Sequence, residues 1–327
     1  MHKTAVLLVN YNSASHTADC VESLAKGEGR PLVVVVDNAS LPEDLEKLKE
    51  LEGVNALIRS EENLGFGRGN NLGLQWLLQN TECQYIFVLN NDTTVEPQTI
   101  SILESFMDAN ADVGATSPRI MFAEDPDLYW YGGGSLNWSR GGARSWKFLE
   151  PYDQNTTVSE VGFMTGCAMF LRRDLVASVK GFDPRFFMYC EDWEFSSRIA
   201  RSQWKMCYVP TAVIYHEGHA SVRGSGENYQ SPLAQGGDAS QFYVRNVVAG
   251  SLLALHLSAP LLQRFAGTLY FLLRWLRWSV GFAWRRQWSG FGALGQGISL
   301  FMRMRRSDKR PGWRRQSVVP EILRESK

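Results

Sequence analysis

Three acidic segments of the sequence have the residue types and the spacing to bind a charged ligand. Asp37 ends the apolar run of residues 33–36, Asp92 closely follows a second apolar run, and Glu191 and Asp192 follow an aromatic run. Ligands of an open α/β sheet bind in the crevice beyond the carboxyl ends of its strands, so we expect Asp37 and Asp92 to face one ligand. Because these acidic residues come without a strong phosphate-binding lysine, the pattern indicates a nucleoside diphosphate held through a divalent cation.

A metal ion would stabilise a diphosphate leaving group as a Lewis acid. Oxygen ligands suit Mg²⁺ or Mn²⁺, and imidazole is tolerated better by Mn²⁺. Asp92 is the expected carboxylate ligand, and His216, which directly follows another apolar run, is the expected second ligand. Two alternatives stay open: His216 as a structural histidine, and Asp37 and Asp92 as ordinary helix N-caps.

Alternating strand and helix patterns must position these side chains. The patterns predict strands at 4–9, 32–36 and 55–58 and a strand leading to Asp92, with helices at 14–25, 42–51, 70–79 and 97–109. Alternation with short connections predicts an α/β fold with a mostly parallel sheet flanked by helices. Strands and mobile loops are expected between 117 and 160, and regular elements again from 162 to 216.

The C-terminal part of the chain is basic and rich in tryptophan. From Arg264 onward it carries 14 basic and 3 acidic side chains, a formal charge of +11, and the rest of the chain carries −11. A single membrane crossing needs about 20 mostly apolar residues, and no such run occurs. Arginines alternating with tryptophans predict helices that lie on an anionic membrane surface. The alternative is a helical subdomain that packs its apolar face on the catalytic part.

The cysteines and the N-terminus indicate a cytosolic catalytic part. The five cysteines are widely spaced and include no CxxC pair, which predicts reduced and mostly buried thiols. The first apolar run is short and leads into polar residues, so no signal peptide is expected.

Several segments of the chain resemble the family 2 inverting glycosyltransferases with the GT-A fold, in particular the rhamnosyltransferase-like enzymes of bacterial polysaccharide and cell-wall assembly. The resemblance covers about residues 3–221, and its specificity lies in the order and spacing of the segments. They are VNYN at 9–12, VDNAS at 36–40, NLGFGRGNNLG at 63–73, LNND at 89–92, TGC at 165–167, and FD at 182–183 followed by ED at 191–192.

The resemblance implies roles for single residues of the nucleotide site. Asp37 would read the pyrimidine, Tyr11 would lie near the base, and Asn71 would line the nucleotide pocket. Asn91 is assigned to the nucleotide site with them.

The resemblance also implies the metal site and the catalytic base. Residues 90–92 occupy the DxD position of the family, where this chain has Asn90 in place of the first Asp, so Asp92 becomes the principal metal carboxylate. Asp192 matches the family's general base, and an inverting displacement needs a carboxylate to accept the proton of the acceptor hydroxyl. Glu191 and Glu194 are interpreted as solvated acids in the first turn of a helix.

The predicted activity is inverting transfer of a hexose, in particular rhamnose, from a dTDP- or UDP-linked donor to a lipid-linked or polysaccharide acceptor in cell-envelope glycan synthesis. The expected location is the cytoplasm, peripheral on the inner face of the membrane, with Mn²⁺ or Mg²⁺ as cofactor and no nucleic-acid partner. A sugar-phosphate nucleotidyltransferase is an alternative, but residues 10–13 lack the basic glycine-rich loop that it needs. Asn90 also keeps open a degenerate, non-catalytic membrane-bound scaffold.

Three regions of the chain are predicted. Residues 1–222 form the GT-A catalytic domain, 223–240 a linker or mobile loop, and 241–327 a helical basic region associated with the membrane.

Overall fold

The computed structural model describes residues 2–217, 237–284, 286–307 and 321–325. The strands of the described chain are β1 (Thr4–Asn10), β2 (Leu32–Asp37), β3 (Ala56–Arg59), β4 (Tyr85–Asn90), β5 (Thr93–Val95), β6 (Val113–Phe122), β7 (Tyr129–Tyr131), β8 (Gly134–Asn137), β9 (Gly142–Ser145), β10 (Ser159–Glu160), β11 (Ala168–Arg172), β12 (Lys205–His216) and β13 (Glu321–Glu325). The helices are α1 (Ala14–Ala25), α2 (Pro42–Glu50), α3 (Gly65–Asn80), α4 (Thr99–Ala109), α5 (Arg173–Val179), α6 (Glu191–Ala200), α7 (Gly237–Ser258), α8 (Leu261–Trp284) and α9 (Ser289–Arg306), with a 3₁₀ turn at Trp138–Arg140.

The central sheet brings the polar strand ends to one edge. Its strand order is β10-β12-β6-β11-β4-β1-β2-β3-β13, and β1 pairs in parallel with both β2 and β4. This register sets Asn10 opposite Asp37 and Val9 opposite Asn90. The predicted alternation of strands and helices is therefore confirmed, and Asp37 and Asp92 lie at the same edge of the sheet.

The core explains why the central strands are almost wholly apolar. Residues 5–8 of β1 and 34–36 of β2 are fully buried, because helices cover both faces of the parallel part of the sheet. β11 enters antiparallel between β4 and β6, which the alternation pattern did not predict. All five cysteines are buried and free, as predicted.

Helix α3 begins at Gly65, five residues before its predicted start. A Cβ atom at Gly73 would lie 2.2 Å from Leu7 Cδ1, and one at Gly65 would lie 2.1 Å from the carbonyl oxygen of Phe187. Gly65 also has φ +74°, a conformation that L side chains rarely adopt. The glycines therefore allow the helix to approach the sheet and a neighbouring loop.

The C-terminal helices pack on the catalytic part of the chain. Leu253 of α7 and Phe271 of α8 share a buried cluster with Trp138, Phe186 and Cys190. The predicted linker at 223–240 is too long at its C-terminal end, since α7 already begins at Gly237, and residues 223–236 lie outside the described chain.

One part of the predicted helical region is a strand. β13 pairs antiparallel with β3 and covers that edge of the sheet, so the prediction of helix for all of 241–327 is wrong at 321–325. A strand edge with unpaired backbone groups is a template for pairing, and this tertiary contact overrides the local pattern.

Helix α8 has two apolar faces, one buried in the protein and one exposed to solvent. Gly267, Phe271 and Phe282 are buried against the rest of the molecule. The other apolar residues recur three or four positions apart and are exposed, which places them on a separate face: Leu262, Phe265, Leu269, Leu272, Leu273, Leu276 and Val280. In the described part of the chain, no helix is long and apolar enough to cross a membrane.

We expect Gly267→Ala to destabilise the protein. The added Cβ would lie 2.3 Å from the carbonyl oxygen of Trp138 and 2.8 Å from Leu255 Cδ1, so the free energy of unfolding should fall by about 1–3 kcal/mol. The matched control is Gly281→Ala in the same helix, where nothing lies within 4 Å and helix propensity should add up to about 1 kcal/mol. Urea unfolding of both variants measures the difference. Equal effects at the two positions would contradict close packing of α8 at Gly267.

Candidate active site

Two adjoining cavities open at the carboxyl edge of the sheet. The first cavity, of about 440 Å³, lies between the ends of β1 and β4 and the start of α3, and Tyr11, Asn70 and Asn91 are among its lining residues. The second cavity, of about 530 Å³, lies between the catalytic part and the C-terminal helices. Asn90 and Asp92 line both cavities, so a ligand that fills the first can present a group to the second at Asp92.

Asp92 and His216 meet between the two cavities. His216 Nε2 lies 3.1 Å from Asp92 Oδ1, and both side chains are largely buried. Burial raises the pKa of Asp92, but the charge and hydrogen bond of His216 outweigh burial and lower it below its usual range. Burial disfavours the charged form of His216 and so lowers its pKa. The interactions with Cys167 and Asp92 outweigh burial and raise this pKa well above the usual value.

The pair fits a divalent cation. A carboxylate and an imidazole face one cavity, and the imidazole must release the proton that Asp92 stabilises before it can bind a metal. The resulting mixed donor set suits Mn²⁺ better than Mg²⁺. Among the residues that the structure describes, no group of three or more His, Cys, Asp or Glu side chains could hold a metal. A cation bound here would therefore take its remaining ligands from substrate phosphates and water, as Mg²⁺ commonly does in phosphate sites.

The alternative that Asp37 and Asp92 are ordinary helix N-caps is wrong, because neither residue caps a helix. Leu41 precedes α2 and makes no side-chain cap, and Asp92 is followed by strand β5. Asp37 is fully buried at the end of β2, where its Oδ1 accepts a hydrogen bond from the Ser40 amide at 3.2 Å. Its Oδ2 has no hydrogen-bond partner and lies 3.7 Å from Arg59 Nε.

The structure separates two neighbouring asparagines of α3. Asn71 donates to the carbonyl of Phe182 at 2.8 Å and accepts from the Phe182 amide at 2.8 Å, so its amide anchors that segment and does not line the first cavity. Asn70 lines the cavity instead. Consecutive helical residues point about 100° apart. Asn71, which the resemblance assigned to the nucleotide pocket, therefore faces the protein interior.

Tyr11 and Asn91 both line the first cavity. Tyr11 is 49% exposed at its mouth, and the Asn91 amide donates to Thr17 Oγ1 at 2.9 Å. His16 also lines this cavity, and its Nε2 lies 3.1 Å from a carboxylate oxygen of Glu217. No motif in the sequence surrounds His16, so its place in this cavity is visible only in the structure.

Asp192 is held at the start of α6 on the wall of the second cavity. Its Oδ2 accepts from the Gly166 amide at 3.2 Å and its Oδ1 from the Trp193 amide at 3.0 Å. Burial raises the pKa of Asp192 to about 6, although these amide bonds oppose the shift. A carboxylate with this pKa is largely ionised at neutral pH and is still a competent proton acceptor.

Glu191 and Glu194 are buried, so the interpretation of both as solvated acids is wrong. Glu191 lines the second cavity with its Oε2 unpartnered, and burial together with the charge of Asp192 raises its pKa to about 8. Glu194 instead binds Arg198 Nε at 2.7 Å. Burial without a cationic partner favours the neutral form of Glu191, which keeps the two adjacent carboxyls from being charged together.

A strained turn before α6 depends on the C-terminal helices. Tyr189 and Cys190 have φ angles of 73° and 69°, which are unfavourable for residues with a side chain. Gly250 of α7 packs on this turn so closely that a Cβ atom would lie 2.6 Å from the Tyr189 carbonyl oxygen. The C-terminal helices therefore help to hold the turn that leads into Asp192.

Comparison with known structures identifies the fold. The chain resembles a crystal structure of GalNAc-T7 with UDP, GalNAc and Mn²⁺ (TM-score 0.55, 20% identity, 75% of this chain and 48% of that chain). It spans about half the length of that protein. It also resembles the mannosyltransferase PcManGT from Pyrobaculum calidifontis in complex with GDP-Man and Mn²⁺ (TM-score 0.53, 13% identity, 94% of this chain and 76% of that chain). The fold is thus the GT-A fold that the resemblance implied.

Sequence comparison identifies the family. The chain is 27% identical over 242 residues to N-acetylglucosaminyl-diphospho-decaprenol L-rhamnosyltransferase of Mycobacterium tuberculosis, covering 67% of this chain and 77% of that protein. The family model of glycosyl transferase family 2 matches residues 5–179, which include both strand-end acids Asp37 and Asp92 but end before α6. This match spans more than half of the 327 residues, and the chain belongs to glycosyl transferase family 2.

Proposed function

We propose that this protein is an inverting glycosyltransferase that moves a hexose, in particular rhamnose, from a nucleoside-diphosphate donor to a lipid-linked acceptor. One observation carries the proposal: Asp92 and His216 stand where a nucleotide-sized cavity meets a second cavity, and Asp192 lines that second cavity. The first cavity takes the nucleotide, and the sugar and acceptor occupy the second. Membership of the family argues against the sugar-phosphate nucleotidyltransferase alternative.

The nucleotide is a pyrimidine in this proposal. The carboxylate of Asp37 accepts the N3–H of uracil or thymine in this proposal, since its Oδ2 makes no hydrogen bond although it is paired with Arg59 Nε at 3.7 Å. Asp37 is fully buried and does not line the first cavity, whereas its neighbour Asn38 does. Tyr11 lies near the base, and Asn91 contacts the nucleotide. Asn70 takes the lining role that the resemblance gave to Asn71. A UDP- or dTDP-linked sugar is the donor class that follows.

Asp92 and His216 hold Mn²⁺ or Mg²⁺ beside the donor diphosphate. When bound, the metal neutralises charge on the departing nucleoside diphosphate. Asp92 supplies the carboxylate that Asn90 cannot. With Asp92 and His216 as the protein ligands, a metal would take its remaining ligands from the diphosphate and water.

Asp192 accepts the proton of the attacking hydroxyl. The acceptor oxygen approaches the anomeric carbon from the face opposite the diphosphate, so the configuration inverts. The Gly166 and Trp193 amides fix the Asp192 carboxylate for this role. Glu191 stays protonated at neutral pH and can donate a hydrogen bond to a sugar hydroxyl in the same cavity.

The acceptor is carried by a membrane lipid, and the protein binds the anionic inner face of the cell membrane. The Mycobacterium tuberculosis relative is named for a diphospho-decaprenol acceptor. The exposed apolar face of α8 inserts into the headgroup region, and basic residues of the C-terminal segment, which carries +11, attract anionic lipid.

We expect Asp192→Asn to lower turnover by about 10²-fold or more, because the amide cannot accept the proton. The matched control is Glu191→Gln, which mimics the protonated neighbour and should retain most of the turnover at pH 7. In the wild type, kcat/KM should rise as pH increases through about 6, because only ionised Asp192 acts as the base. A transfer assay with UDP- and dTDP-linked sugars across pH 5–8 measures both. Equal losses in the two variants would contradict the assignment of Asp192.

We expect Asp92→Ala and His216→Ala to weaken Mn²⁺-dependent nucleotide binding, Asp92 more strongly because a carboxylate is the harder ligand. Calorimetric titration of UDP and dTDP with Mn²⁺ and with chelator measures the effect. Asn71→Ala is not a suitable control, since it breaks a buried anchor; Leu41→Ala, at an exposed position, is suitable. Equal nucleotide affinity with Mn²⁺ and with chelator would rule out the metal. Absence of donor hydrolysis under both conditions would favour the non-catalytic scaffold.

We expect Leu272→Asp/Leu276→Asp to abolish binding to phosphatidylglycerol liposomes, because it places charge on the apolar face of α8. The matched control is Leu41→Asp/Val158→Asp, which changes two exposed apolar residues of the catalytic part. Binding of the wild type should also weaken as salt rises. Point substitutions test this better than truncation, which would uncover the cluster around Phe271. If both double variants float with liposomes like the wild type, α8 does not bind membrane.

A further inference from the structure

Two arginines line the second cavity without an acidic partner. Arg140 ends the 3₁₀ turn after β8, and Arg274 lies near the middle of α8. Within the part of the chain that the structure describes, neither guanidinium forms an ion pair with an acidic side chain. Arg274 lies over the Trp278 ring, 4.7 Å from its centroid, which holds the side chain without neutralising its charge. Two unneutralised cations in one cavity indicate an anionic ligand.

The backbone around Arg140 is fixed by close aromatic packing. Gly141 and Gly142 have φ angles of 88° and 96°, and a Cβ at either position would lie within 2.5 Å of Tyr270 or Trp193. Tyr270 belongs to α8, one turn before Arg274, and Trp193 directly follows the proposed base. The two arginines and the proposed base are therefore parts of one packed wall.

The position of the arginines separates them from the donor. Both line the second cavity only, whereas the first cavity and its junction at Asp92 accommodate the nucleoside diphosphate. Asp192 and Arg274 are both partly buried on the wall of the second cavity, while Arg140 is exposed, so Arg140 lies nearer to solvent than the proposed base. In the proposed function the donor places only its uncharged sugar in the second cavity, so an anion bound by the arginines belongs to the acceptor.

The helix that carries Arg274 also carries the exposed apolar face. Leu273 and Leu276, on either side of Arg274 in the sequence, are 60% and 63% exposed. The molecule thus presents, in order, an aromatic cavity, two arginines and an apolar surface. A ligand made of a sugar, phosphate groups and a long apolar chain would match these three parts in the same order. Guanidinium groups bind phosphate oxygens with two parallel hydrogen bonds, which makes arginine better suited than lysine to this task.

We propose that Arg140 and Arg274 bind the diphosphate of a polyprenyl-diphosphate-linked acceptor and so orient its sugar toward Asp192. This inference rests on the proposed function and adds the residues that select the acceptor class. Both residues are binding residues that distinguish a phosphate-linked sugar from a phosphate-free one.

Binding of farnesyl diphosphate tests the proposal without requiring turnover. Titration calorimetry is done on the full chain in EDTA, which prevents metal-mediated binding at Asp92. Arg140→Gln and Arg274→Gln should each weaken binding about tenfold or more, since each removes charge-assisted hydrogen bonds. The matched control is Arg277→Gln, which removes an exposed arginine of α8 outside the cavity and should bind like the wild type. Circular dichroism melts confirm that all three variants fold.

Three comparisons give the outcomes that overturn the proposal. Equal losses in all three variants would show a general charge effect. An equal loss of UDP affinity with Mn²⁺ would assign the arginines to the donor. Loss of binding to phosphatidylglycerol vesicles with unchanged farnesyl diphosphate binding would assign them to lipid headgroups.

Transfer assays separate this inference from the proposed function. With an active enzyme, the cavity variants should raise the KM for a diphosphate-linked acceptor but not for the same sugar on a phosphate-free alkyl chain. If the wild type binds farnesyl diphosphate through both arginines but transfers no sugar, the phosphate site stands and the proposed function fails. If transfer occurs and the variants bind farnesyl diphosphate normally, the proposed function stands and the phosphate site fails.

Discussion

The antiparallel pairing of β5 with β12 sets the geometry on which the site depends. β4 and β12 are separated in the sheet by β11 and β6, so their ends would not meet through the sheet order alone. The short strand β5 follows Asp92 directly and places Thr93 opposite His216. The Glu217 amide also donates to the Asp92 carbonyl at 3.0 Å. A three-residue strand therefore brings together two side chains that lie 124 positions apart in the sequence.

The site concentrates buried acidic groups, and each is stabilised in a different way. Asp92 is stabilised as an anion by His216, and Asp192 by two backbone amides. Glu191 has no such partner, and burial next to Asp192 keeps it neutral at pH 7. The pKa is lowered at Asp92 but raised at Asp192 and raised further at Glu191, so one cavity can hold the proposed metal ligand, the proposed base and a hydrogen-bond donor.

The C-terminal helices pack on the catalytic part and also expose an apolar face. One face of α8 packs on the catalytic part through Gly267 and Phe271, and the opposite side exposes a row of leucines. Packing by α7 also supports the strained turn at Tyr189 and Cys190. A membrane surface bound by this region would therefore lie beside the second cavity, since Tyr270 and Arg274 of the same helix line it.

The sequence by itself determined the order of strands and helices in the first half and the location of Asp37 and Asp92 at one edge of the sheet. Apolar runs and their spacing are local signals, and parallel pairing places every strand end on the same side. It also indicated a cavity-lining asparagine on α3. It did not distinguish Asn70 from Asn71, since one residue changes the direction of a helical side chain by about 100°.

Only the tertiary structure decided the partners of these residues. The contact of Asp92 with His216, the burial of Glu191 and the closeness of Arg140 to Arg274 all depend on chain segments that are distant in sequence. No local pattern encodes such contacts, because they arise when sheet register and helix packing close the structure. The edge strand β13 illustrates the same limit: its residues lie in a basic region for which helices were predicted, and pairing with β3 determines their conformation.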